Sequence, residues 1–173
     1  MTAKGCDIVI RREGDDHVAD WGAGPRRCAV GRGGIGEKLR EGDGVTPAGR
    51  WPLRRILYRA DRVTKIQSAF GMTVIARDDG WCDAPADPAY NCAVKLPYGA
   101  NAETLWRDDR LYDVVVVVGY NDAPVVPGKG SAIFIHVASD DFGATEGCVA
   151  LARADFIELL AAVPANATLL IKA

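Results

Sequence analysis

Leu111-Tyr112-Asp113-Val114-Val115-Val116-Val117-Val118-Gly119-Tyr120 and, ten residues on, Ser131-Ala132-Ile133-Phe134-Ile135-His136-Val137-Ala138 are the stretches that decide the fold class. Five consecutive valines are β-branched and stiff at χ1, which suits an extended chain better than a helix. A run that is apolar at every position belongs to a strand covered on both faces. Ser131–Ala138 has the same character. The segment between them, Asn121–Gly130, holds Pro124, Pro127, Gly128 and Gly130 and reads as a loop of hairpin length.

Outward from this pair, strands are predicted over 6–12, Arg27–Val30, Trp51–Arg59, Met72–Ala76 and Thr168–Lys172. The first two form a hairpin through Gly22-Ala23-Gly24-Pro25, and Gly31–Gly49 is a loop. Residues 77–110 show no clean period; a connection that long is functional or carries short elements of its own. One helix is predicted over Ala152–Val163, with Phe156, Ile157, Leu160 and Val163 on one face and Pro164 as its stop. Many strands, one helix, nineteen Gly and nine Pro give a mainly-β sandwich or barrel with a C-terminal helix packed alongside. The 173 residues suit a single domain over 1–173.

Composition removes several function classes. Hydrophobic residues make up 49 %, enough for a packed core. The 21 Lys+Arg against 23 Asp+Glu leave no basic excess, so no nucleic-acid partner is expected. No apolar run reaches the ~18–20 residues of a membrane span, and the first seven residues show no signal-peptide stretch. A monomer is expected. Five Cys without a Cys-x-x-Cys pair, and only two His, argue against a zinc site. Cys6, Cys28 and Cys92 read as small buried hydrophobes.

The chemistry gathers around His136 and Cys148, twelve positions apart. A thiol with an ordinary pKa of ~8.5 needs a base to attack at neutral pH, and a His at a strand end can serve. Gly147 removes a side chain where a substrate backbone must approach, and lets nearby amides turn toward an oxyanion. The helix predicted just after Cys148 would further depress the thiol pKa if its N-terminus faced the sulfur.

The stretch from His136 to Leu151 resembles the signature of L,D-transpeptidase catalytic (YkuD-type) domains. That signature runs from a strand His to Ser/Thr-His-Gly-Cys-hydrophobic-Arg/Asn. Thr145, Gly147, Cys148 and Val149 match it in order. Asp43-Gly44-Val45-Thr46-Pro47-Ala48-Gly49-Arg50-Trp51 resembles the family's Thr-Pro-x-Gly-x-aromatic block. Glu146 stands where the motif has His, Ala150 where it often has Arg or Asn, and the His-to-Cys loop is short, as in a compact bacterial branch of the family.

The resemblance implies a YkuD-like β-sandwich and a peptidoglycan L,D-transpeptidase. Cys148 would form a thioester with a donor stem peptide, His136 would be its base, and the Val137 carbonyl would orient the imidazole. An acceptor stem amine would then take the acyl group, with no metal or organic cofactor. Some members of that branch are thought to join the first residue of one stem to the third of another. The resemblance also implies a periplasmic or cell-envelope location and acylation by carbapenems. Thr145, Glu146, Tyr120, Asn121, Arg153 and Trp81 are candidate substrate contacts, with Arg153 replacing the motif's missing Arg as a carboxylate clamp. Asp83, Tyr90 and Asn91 could join Trp81 on a stem peptide or could be a packed loop. Glu146 could meet the acceptor ammonium. Three rival readings stay open: a hydrolase on the same scaffold, an unrelated cysteine peptidase, and an inactive wall-binding module. The order His before Cys disfavours papain-like peptidases.

Overall fold

The computed structural model describes residues 7–173. Cys6, the start of the first predicted strand, lies outside them. The chain begins with β1 (Asp7–Glu13), β2 (Asp16–Asp20), β3 (Arg26–Ala29), β4 (Ile35–Gly36), β5 (Thr46–Pro47) and β6 (Gly49–Tyr58). It continues with β7 (Met72–Val74), β8 (Asp79–Cys82), β9 (Ala93–Lys95) and β10 (Ala102–Thr104). It ends with β11 (Val114–Val118), β12 (Phe134–Val137), β13 (Val149–Leu151), α1 (Arg153–Ala162) and β14 (Thr168–Ile171).

Nine strands form one sheet in the order β11-β12-β13-β3-β2-β1-β14-β6-β7, and β6 also pairs with β11. The length of β6 makes this closure possible. Gly49–Pro52 pair with β14, and Leu53–Tyr58 pair with β11. The ladder therefore folds back on itself as a mainly-β sandwich; closure pairs the outer side of β11, and β7 is left as an edge strand.

The valine run is explained by two cores. Val114, Val116 and Val118 enter the larger one with Ile135, Val137, Val149, Leu151 and the helix residues Phe156, Leu159 and Leu160. Val115 and Val117 point the other way, into a second core with Phe134, Trp81, Leu105, Tyr112 and Cys148. Side chains alternate along a strand, so burial of all five requires cover on both faces. The second cover comes from the aperiodic 77–110 region, where β10, β8 and β9 form a separate three-stranded sheet.

Three expectations need correction. The N-terminal region is not one hairpin but two: β1 turns tightly through Gly14-Asp15 into β2, and β2 then pairs with β3. The polar Asp16–Asp20 stretch conceals a strand because only Val18 and Ala19 of it are buried. In α1 the buried set is Phe156, Leu159 and Leu160, while Ile157 only packs at the margin. Cys28 is buried as expected, but Cys92 is exposed. Among the described residues no helix is long and apolar enough to cross a membrane.

Candidate active site

Strand parity brings the chemistry together. β12 and β13 are parallel neighbours with Ile135 opposite Val149 and His136 opposite Ala150. Ile135, Val137, Val149 and Leu151 face the large core. Phe134, His136, Cys148 and Ala150 therefore share the opposite face. His136, Cys148 and Ala150 line a cavity of about 500 Å³, roofed by residues of the inserted sheet and the 139–146 loop.

Both candidate residues are buried, His136 at 6 % exposure and Cys148 at 8 %. The Cys148 sulfur accepts the Phe134 N–H at 3.4 Å, and its S–H donates to the Ala132 carbonyl at 3.2 Å. His136 Nδ1 lies 2.8 Å from the Val137 carbonyl oxygen. A carbonyl can only accept, so Nδ1 carries the hydrogen and Nε2 keeps the lone pair. The Tyr112 ring packs edge-on against the imidazole, with centroids 5.4 Å apart, and holds its tilt.

Burial biases both members of the pair toward their neutral forms. Burial pushes the Cys148 thiol up to about 12, the charge of Glu103 adds to this, and the Phe134 amide and Lys38 pull only weakly back. Burial likewise lowers His136 to about 4; the Val137 hydrogen bond opposes, and the Arg107 cation reinforces. The expected help from a helix N-terminus is absent: α1 begins at Arg153, beyond β13 and Ala152. A standing thiolate is thus replaced by a thiol and an imidazole with a free acceptor nitrogen.

Two threonines shape the turn that presents Cys148. Thr145 Oγ1 donates to the Cys148 carbonyl at 2.7 Å and accepts the Gly147 N–H at 3.1 Å. Fully buried Thr46 donates to the Gly147 carbonyl at 2.9 Å and accepts the Gly31 N–H at 2.8 Å. The Thr-Pro block and the Gly-Cys block, about a hundred residues apart in sequence, thus meet through one hydroxyl. Gly147 has φ +138°, and a Cβ there would sit 2.9 Å from the Val45 carbonyl oxygen. The glycine makes room for the protein's own backbone.

Thr46→Val keeps shape but orphans the Gly31 N–H and the Gly147 carbonyl. We expect a loss of about 2–4 kcal/mol, a fall in melting temperature of roughly 5–15 °C, and recovery in Thr46→Ser. Thermal melts of the two variants check this; an unmoved Thr46→Val midpoint would contradict it.

The remaining candidates divide. Thr145 and Glu146 line the cavity. Glu146 is not a free carboxylate, however: Arg32 Nε donates to its two oxygens at 3.1 and 2.9 Å in an exposed pair. The other four are not brought to the cavity. Arg153 reaches Asp113 at 3.0 Å and the Arg62 carbonyl at 2.9 Å, joining Arg62 around a buried carboxylate. Tyr120 donates its hydroxyl to the Lys129 carbonyl and packs edge-on against Trp51. Asn121 pins its own loop by bonds to Val126 and Gly130. Trp81 is buried against Phe134 and donates to Asn91.

The cavity walls also hold residues that sequence reading did not single out: Lys38, Glu41, Glu103, Arg107 and Tyr112. Lys38 is a buried cation held by Asp43 at 2.6 Å. Burial alone would raise Asp43, but the Lys38 ammonium and three backbone amides keep it well below the usual carboxylate range. Burial raises Glu103, which accepts the Tyr112 hydroxyl. Nothing in their local sequence marks these positions: Lys38 and Glu41 come from the β4–β5 loop, Glu103 from β10, and Arg107 and Tyr112 from the β10–β11 connection.

The family model for the L,D-transpeptidase catalytic domain (YkuD) matches residues 10–171. The chain belongs to that family. No curated protein and no solved structure gives a significant match. Membership in the L,D-transpeptidase family ties the chain to peptidoglycan and to acyl-transfer chemistry. The match takes in both blocks that meet at Thr46 and Gly147, as well as the inserted sheet that walls this L,D-transpeptidase domain's cavity.

Proposed function

We propose that this L,D-transpeptidase domain links peptidoglycan stem peptides through a Cys148 thioester, with His136 as base. The observation that carries the reading is a buried thiol and an imidazole with a free Nε2 facing one cavity. A donor stem places its carbonyl carbon against the sulfur. The thiol proton passes to His136 Nε2 as the S–C bond forms. The departing amine takes that proton when the peptide C–N bond breaks, leaving the thioester. The acceptor amine then attacks, gives its proton to His136, and the thiol takes the proton back as the S–C bond breaks. Val137 holds the imidazole in the tautomer this needs.

Four carboxylates, Glu41, Asp83, Glu103 and Glu146, line the cavity; Arg32 engages Glu146, and Lys38 and Arg107 are engaged by Asp43 and Asp109. That field favours an amine as the second substrate over an anionic one. The substrate places the activity in the cell envelope, and a carbapenem would acylate Cys148 by the same route. Defined stem peptides incubated with the protein and analysed by mass spectrometry test the proposal. Cross-linked dimers are expected, and fragmentation assigns first-to-third or third-to-third linkage. Shortened monomers alone would identify a hydrolase, and no product would favour a wall-binding module.

A further inference from the structure

The inserted sheet does more than cover a core. Its Tyr90-Asn91 corner grips the segment that cradles the sulfur. Asn91 is buried and uses its whole hydrogen-bonding capacity. Its Oδ1 accepts the Ala132 N–H and the Trp81 Nε1–H, each at 3.0 Å. Its Nδ2 donates to the Tyr120 carbonyl at 3.1 Å and the Asn121 carbonyl at 2.8 Å. Tyr90 anchors the same segment two residues earlier, its hydroxyl accepting the Gly130 N–H at 2.9 Å.

The gripped residue, Ala132, has φ +53°, a left-handed conformation that an alanine adopts only under constraint. Its carbonyl is the acceptor for the Cys148 S–H, at 3.2 Å. Asn91 itself has φ +58°, a region that asparagine tolerates better than most residues. The chain of contact therefore runs from the Asn91 amide, through a strained turn, to the thiol.

We infer that Asn91 is a positioning residue: through the Ala132 amide it holds the strained turn whose carbonyl seats the Cys148 thiol. This rests on the reading of Cys148 as nucleophile, but its test does not require a peptide substrate. Iodoacetamide labelling of Cys148 is followed by mass mapping over a pH series, with buried Cys28 as an internal control for global opening. Asn91→Gly keeps the backbone conformation and removes the side chain.

In Asn91→Gly the thiol should label at least about tenfold faster near neutral pH while Cys28 stays slow. Turnover of stem peptides should fall at least about tenfold in kcat, with KM within about threefold. Asn91→Asp, which retains an acceptor for Ala132, should restore slow labelling in part. If Asn91→Gly does not fold, Ala132→Gly serves instead: it relaxes the turn without removing any of these bonds and should speed Cys148 labelling alone. Labelling within threefold of wild type in the folded variant, or acceleration shared with Cys28, overturns the inference. A protein inactive on stem peptides but showing the selective acceleration leaves it standing and counts against the proposed substrate.

Discussion

Replacing Cys148 with alanine is expected to abolish stem-peptide turnover, by several orders of magnitude, while the fold survives. The sulfur makes two weak contacts, to the Phe134 amide and the Ala132 carbonyl, so its loss should cost stability only about 1–2 kcal/mol. Its chemical loss is total, because no other nucleophile in the cavity can carry the acyl group through a thioester. His136→Ala should cost a comparable factor. The double variant should be little worse than either, since the two residues act on one proton. Initial rates with a defined donor and acceptor, read beside thermal melts, make the comparison. A folded Cys148→Ala protein within tenfold of wild type would remove Cys148 from the mechanism.

The second large effect concerns the resting thiol. With Cys148 held up at about 12, its thiolate fraction at pH 7 falls far below the few per cent of an ordinary thiol near 8.5. Iodoacetamide should therefore label buried Cys148 much more slowly than exposed Cys92. The rate should climb about tenfold per pH unit toward 12. This runs opposite to the activation of Cys148 by a base and a helix N-terminus that the sequence led one to expect. Turnover should behave differently. With His136 at about 4, the neutral imidazole and thiol coexist from about 4 to about 12, and the pH profile should be flat across neutrality, declining on the acid side. Mass-mapped labelling over pH, beside a kcat/KM profile, tests both statements. A labelling plateau at neutral pH with Cys148 first among the thiols would mean a standing thiolate–imidazolium pair instead.

A neutral resting pair has a functional sense. A buried thiol that ionises only when a carbonyl arrives is shielded from adventitious oxidants and alkylating agents. The cost falls on ground-state nucleophilicity and must be offset by placement of the donor carbonyl and by the free Nε2. That makes the seating of the sulfur, through Ala132, Phe134 and the Asn91 grip, more consequential than in an enzyme with a preformed thiolate.

Much of this was legible in residues 111–151. The valine run named a doubly covered strand, and the order His136, Thr145, Gly147, Cys148 pointed to the family and to a candidate thiol chemistry, because strand period and motif spacing are local properties. Strand parity also follows from local sequence once Phe134 and Cys148 are known to be neighbours. What local sequence could not supply was which distant groups share a cavity. Thr46 meets Gly147 across 101 positions, and Asn91 meets Ala132 across 41. Arg153 turned out to serve Asp113 across 40, although it follows Cys148 closely in the chain. Such contacts depend on how the inserted sheet docks and how the ladder closes. The pKa values depend on burial, which is a property of the whole packed molecule. The sequence by itself determined most strands of the main sheet, the family and the two candidate side chains. Only the tertiary structure decided their protonation, the four carboxylates and two cations around them, and the turn that aims the thiol, since each of these is set by atoms that the chain brings together from separate segments.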